Sequence, residues 1–176
     1  MNWLEFKPAL RFLGLFLAIY FVGNLLYGFF IESFEGAPDP ITIGVSRQVG
    51  WILNFIGQQV DVTLNHAAPT VFIRHADKVI VSIYEGCNGI NVMIVFFAFM
   101  VAFGGPLKKI MWFLPVGLVM IHIANLLRIG LLYVVALNYS RYFYYVHKYI
   151  FTAFIYLIVF ALWYSWIVLV SGRKKK

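Results

Sequence analysis

The chain has 176 residues, of which 62% are hydrophobic and 19% aromatic but only 12% charged, and its mean hydropathy is +0.85. That much apolar surface excludes a water-soluble domain of ordinary balance and makes lipid the expected solvent. The formal net charge of +7 does not point to nucleic acid, because the basic residues flank apolar runs and form no patch interleaved with exposed aromatics.

The first apolar run, 12–31, follows Lys7 and Arg11 and has the roughly 20 residues a helix needs to cross a hydrocarbon core of about 30 Å. It lacks a small-x-small cleavage site such as Ala-x-Ala, so it is expected to remain as a transmembrane helix rather than act as a signal peptide. Residues 32–87 form an insert with an organisation of its own. Gly36-Ala37-Pro38-Asp39-Pro40 predicts a break, since its prolines fix φ and remove donors. Beyond it, Val45, Val49, Ile52 and Ile56 recur at helical spacing while Arg47, Gln48, Asn54 and Gln58 occupy other positions. That pattern predicts an amphipathic helix over 41–59, lying along the outer interface or packed on the bundle. Two β-rich stretches, 71–73 and 79–84, flank His75-Ala76-Asp77-Lys78 and predict a small extracytoplasmic hairpin.

Three further spans are predicted at 88–103, 110–137 and 149–170. Lys108 and Lys109 fill the turn between the second and third spans, and Arg173 with Lys174 to Lys176 closes the chain. The positive-inside rule puts these sites and the N-terminus in the cytoplasm. Six of the 7 acidic residues, Glu32, Glu35, Asp39, Asp61, Asp77 and Glu85, fall in the insert, which fits the opposite side. The expected fold is an α-helical integral membrane protein: four transmembrane helices, an outer amphipathic helix and the hairpin, in one membrane-embedded domain over 1–176. The expected location is the cytoplasmic membrane, with both termini cytoplasmic.

Cys87 is the only cysteine, so no intramolecular disulfide can form. If Asn88 caps the following helix, the thiol lies near unpaired backbone N–H groups and the positive end of the helix dipole, both favouring thiolate. The alternative is a small buried residue with no chemistry. Arg128 stands roughly nine residues, or about 13 Å, from the outer end of its span. A charge there costs about 2.5–3.5 kcal/mol to insert, so it is expected to face the bundle or a wet cavity. It otherwise snorkels outward or clamps a carboxylate such as Glu85. Asn125, at i−3 on the same face, can hold Arg128 or bond a neighbouring helix. His122, deeper still, is expected to make a neutral interhelical hydrogen bond.

His147 follows Tyr142-Phe143-Tyr144-Tyr145-Val146 in the loop before the last span, where an imidazole can exchange protons near neutral pH or simply belong to an aromatic belt. His66 and His75 lack ligand spacing, and neither Cys-x-x-Cys nor His-Glu-x-x-His occurs, so no metal is expected. The absence of a Gly-rich phosphate loop and of Gly-x-Ser-x-Gly leaves ATP-driven and serine chemistry without support.

Glu85-Gly86-Cys87-Asn88-Gly89-Ile90 at the start of one span, Asn125-x-x-Arg128 within the next and His147 before the last together resemble the motif set of the exosortases and archaeosortases. The resemblance runs over roughly 40–170, and the chain is similar to the short, single-domain exosortases found in Bacteroidota. It departs in carrying Asn88 where many relatives have Ser or Ala, and in lacking the additional N-terminal spans of larger members. The resemblance implies a cysteine peptidase or transpeptidase with Cys87 as nucleophile, Arg128 at the oxyanion and His147 as acid and base, supported by Asn125, Asn88 and Glu85. It implies substrates that are secreted proteins ending in a short motif, a transmembrane helix and a basic cluster. The acceptor would be water or a surface glycan or lipid, no cofactor is implied, and the site would face the extracytoplasmic side. A non-enzymatic scaffold or exporter subunit, with Arg128 paired to a partner, fits composition and topology as well. A small transporter with Arg128 and His122 along a wet path is a third reading, disfavoured by the lack of an inverted repeat.

Overall fold

The computed structural model describes residues 3–171, so the expected basic anchor at Arg173 and Lys174 to Lys176 lies outside the described residues. Helix α1 (Trp3–Glu32) begins well before the apolar run and carries Lys7 and Arg11 on its early turns. The break that follows hands over to α2 (Pro40–Phe55), whose start is doubly specified. Asp39 accepts from Ile41 N at 2.9 Å and Thr42 N at 3.0 Å, and Pro40 stands at the first helical position, where its missing N–H costs nothing. The helix is shorter than expected, because Ile56 caps it and Gly57 turns the chain away at φ 85. Its buried face is mixed, with Thr42 and Ser46 beside Val45, Val49 and Leu53. Trp51 and Phe55 stack at 5.9 Å on the opposite, exposed side.

The hairpin proves to be two thirds of an antiparallel sheet in the order β1 (Val60–Leu64), β2 (Val71–His75), β3 (Lys78–Ile83). The β2–β3 turn is Ala76-Asp77, both left-handed at φ 45 and 63, the geometry that matches strand twist in a two-residue loop. Strand β1, which the sequence pattern did not announce, is pinned from α2. Asn54 donates to the Val60 carbonyl at 2.9 Å and accepts from the Val60 N–H at 2.6 Å, acting as a substitute strand neighbour.

A 3₁₀ turn (Glu85–Cys87) leads into α3 (Ile90–Phe103), and Gly104-Gly105-Pro106 leads out into α4 (Leu107–Asn138). A 3₁₀ turn (Ser140–Tyr142), a one-turn α5 (Phe143–Tyr145) and a π-helical turn (Val146–Ile150) then run without a break into α6 (Phe151–Ser171). Among the described residues three helical stretches, Phe6–Glu32, Leu107–Asn138 and Ser140–Ser171, are long and apolar enough to cross a membrane. Helix α3 is apolar but has 14 residues, a rise of about 21 Å, and Gly104 and Gly105 end it where the predicted span ends.

Helix α3 runs antiparallel to α1. Phe12 meets Phe99 and Phe103 at 5.7 and 6.4 Å near one end, and Asn88 donates to the Tyr27 hydroxyl at 2.5 Å near the other. Lys109 donates to the Leu169 carbonyl, which brings the start of α4 to the end of α6. Two cores result. Phe96, Met100, Ile121 and Trp166 fill the bundle, while Leu53, Ile73, Ile83, Ile129 and Tyr133 join α2, the sheet and the last turns of α4. Helix α4 therefore does two jobs in sequence. Its first 21 or so residues rise roughly 30 Å, a membrane's thickness, and from Arg128 onward it supports the sheet.

Candidate active site

Strand β3 ends at Ile83, and the chain tightens at once, with Cys87 N donating to the Tyr84 carbonyl at 2.8 Å. Cys87 thus sits in the 3₁₀ turn rather than in a helix. The expected cap at Asn88 is displaced by one residue: Gly89 takes the N-cap position at φ 88, a left-handed conformation open to glycine at no cost. Asn88 contributes from outside, its Oδ1 accepting from Ile90 N at 3.0 Å. Its amide is spent on fixing the turn, donating to Thr42 Oγ1 at 3.0 Å and to the Tyr27 hydroxyl, which ties α1, α2 and the turn together.

From the other side α4 holds the same turn. Asn125 Nδ2 and Arg128 Nη2 both donate to the Cys87 carbonyl, at 2.9 and 3.1 Å. The reading that Asn125 holds Arg128 is replaced by a shared target, and the guanidinium engages the Cys87 carbonyl rather than the Glu85 carboxylate. Gly89 is necessary here for a second reason, since a Cβ there would lie 3.1 Å from Asn125 Cγ.

His147 lies not in a loop but in the π-helical turn, its ring stacked on Phe143 at 5.9 Å and 17°. π-Helical turns are rare and gather at functional sites. Its Nδ1 is buried and has no hydrogen-bond partner among the described residues. Cys87, Arg128 and His147 line one cavity of about 210 Å³, closed by Tyr84, Ile83 and Leu132. The separation along the chain disappears because β3, α4 and the π-helical turn meet at this point.

Burial pushes the Cys87 thiol up from its ordinary range, against the Arg128 guanidinium and the Tyr84 backbone and side chain, which favour the thiolate. The expected net gain from the helix terminus is therefore overridden: the turn holds sulfur away from water, and desolvation outweighs the favourable charges. Three of the sequence-singled histidines lie outside the cavity. His122 Nε2 meets Gln48 Oε1 at 2.7 Å, an α2–α4 hydrogen bond, His75 Nδ1 meets the Gln58 carbonyl at 2.7 Å, and His66 lies in the exposed β1–β2 loop. Tyr84 escaped the reading of the sequence, although its place at the end of the β-rich stretch, three residues before the lone cysteine, was a signal.

The family model described as transmembrane exosortase (Exosortase_EpsH) matches residues 6–165. The chain belongs to the exosortase family. No curated protein and no solved structure matches it. As an exosortase it is a multi-pass membrane protein of the cysteine peptidase and transpeptidase type, and its family acts in protein sorting on membrane-associated substrates with C-terminal sorting signals.

Proposed function

We propose that this exosortase cleaves the C-terminal sorting tail of secreted surface proteins through a Cys87 acyl-enzyme and passes the acyl group to water or to a glycan or lipid nucleophile at the surface. The observation that carries this reading is the shared cavity of Cys87, Arg128 and His147. The thiol rests protonated in its buried turn, so attack needs a base. His147 takes the Sγ proton as sulfur adds to the scissile carbonyl. Arg128 has five N–H donors, and holding the Cys87 carbonyl through Nη2 leaves others for the developing oxyanion. Collapse of the tetrahedral intermediate expels the substrate's membrane-helix segment as an amine, protonated by His147, and leaves a thioester. His147 then accepts a proton from the incoming nucleophile. Asn125, Asn88 and Glu85 support the turn.

In this reading the chain sits in the cytoplasmic membrane, crosses it four times with both termini cytoplasmic, and turns the cavity and sheet outward. Its substrates end in a short motif, a transmembrane helix and a basic cluster. The test is co-expression with a candidate sorted protein, following loss of its tail. Cys87→Ala and Arg128→Ala abolish processing with insertion intact, and His147→Ala lowers it by about 10²–10⁴-fold. Full processing by Cys87→Ala ends the nucleophile assignment and leaves a non-enzymatic membrane scaffold as the reading.

A further inference from the structure

Tyr84 occupies an unusual position for a residue at a strand end. Its ring folds forward over Gly86, so closely that a Cβ at residue 86 would collide with the ring edge and lie 3.0 Å from Tyr84 Cζ. Tyr84 also joins Cys87, Arg128 and His147 in lining the cavity. The Tyr84 and Cys87 side chains thus share one wall, near enough for the phenol to bear on the charge of the sulfur. Arg128, by contrast, spends its Nη2 on the Cys87 carbonyl.

We infer that Tyr84 is a further catalytic residue, its hydroxyl donating a hydrogen bond to Cys87 Sγ that steadies the thiolate as the proton leaves for His147 and offsets part of the cost of burial, with Gly86 as the residue that lets the ring reach it. The inference rests on the Cys87 nucleophile reading but concerns the state of the sulfur before any substrate arrives. Tyr84 keeps its own proton throughout: a neighbouring Cys87 thiolate, first, and burial, second, hold the phenol above its usual range. The other groups facing the sulfur are accounted for. Arg128 comes from α4, His147 from the π-helical turn and Glu85 from the same 3₁₀ turn. Helix α2 brings the uncharged Thr42, and α1 brings Tyr27, both through Asn88 rather than through sulfur.

The experiment needs no substrate, because Cys87 is the only cysteine of the chain. The full-length protein in detergent is treated with iodoacetamide across pH 6–10, a reaction in which the thiolate forms an S–C bond and iodide leaves. Tyr84→Phe removes only the hydroxyl and is expected to slow alkylation about tenfold at pH 8 and to move the profile about one unit upward. Gly86→Ala, which displaces the ring and keeps the hydroxyl, moves it in the same direction, and the double variant is no slower than Tyr84→Phe alone. Superimposable profiles for wild type and Tyr84→Phe overturn the inference. Loss of the nucleophile reading is a separate result, read from processing by Cys87→Ala, and leaves the alkylation profiles standing.

Discussion

Cys87 is 6% exposed, and its environment divides into one large unfavourable effect on the thiolate and several smaller favourable ones. Burial raises the pKa, so the folded chain holds the thiol proton more tightly than the unfolded chain does. The stability this contributes is complete below the ordinary thiol range and is lost as pH rises through the elevated folded value. Alkylation of the wild-type protein at pH 7 should accordingly be slower than that of a small free thiol, and its profile should turn upward above the usual thiol range. A profile matching a solvent-exposed cysteine contradicts the enclosed site. Gly89 sets the carbonyl side of the same turn. Gly89→Ala combines a φ of 88 with a Cβ pressed against Asn125, and is expected to cost about 1–3 kcal/mol in thermal or denaturant unfolding while weakening the grip on the Cys87 carbonyl. Unchanged stability in that variant would show that the turn relaxes freely. That Cys87, Arg128 and His147 belong in one place was legible from their resemblance to a family's motif set, and the three line one cavity. The way they are held was not: Asn125 and Arg128 address a backbone carbonyl, and no side-chain pattern announces a backbone target.

At the scale of elements, the long helices were legible from apolar runs, and their ends were not. Helix α4 starts three residues before its predicted span and ends one residue after it, and the π-helical turn absorbs what reads as a loop before the last span. Strand β1 was hidden for a different reason. Its five residues pair with β2 on one side only and borrow Asn54 on the other, a tertiary device that a window of sequence does not contain. Packing between helices gives the sharpest element-scale prediction. Gly117 on α4 lies directly against the fully buried Phe96 ring of α3, so any Cβ must push the ring aside. Small residues of this kind set how closely membrane helices approach. Gly117→Leu should therefore cost about 1–3 kcal/mol and loosen α3, read as a lower melting temperature in detergent and faster proteolysis of the 104–106 linker. Wild-type behaviour in both assays would mean that α3 and α4 are held together elsewhere.

Over the whole molecule, charge separates along the bundle. Lys7 and Arg11 on α1 line one cleft with Phe103 and Gly104 at the end of α3, and Lys109 at the start of α4 reaches the end of α6, so these cations share an end. Asp39 and Glu85 lie toward the other end, beside the turn that holds Cys87. Helix α3 is the deciding element. At about 21 Å it is shorter than a typical hydrocarbon core, yet it lies antiparallel to α1 from Phe12 to Tyr27, and in the proposed topology of four crossings it traverses the same layer. Local thinning of the bilayer, at fractions of a kcal/mol per Å, accommodates a mismatch of that size. With the cations inside, as proposed, that topology puts the β1–β2 loop and the 104–106 linker on opposite sides of the membrane. Reporter fusions test this directly: a fusion in the loop at His66 should read as extracytoplasmic, and fusions after Lys109 and after Ser171 as cytoplasmic. If the His66 and Lys109 fusions report the same side, α3 does not cross, and the cavity of Cys87, Arg128 and His147 loses the position from which it would meet a substrate's membrane-proximal tail.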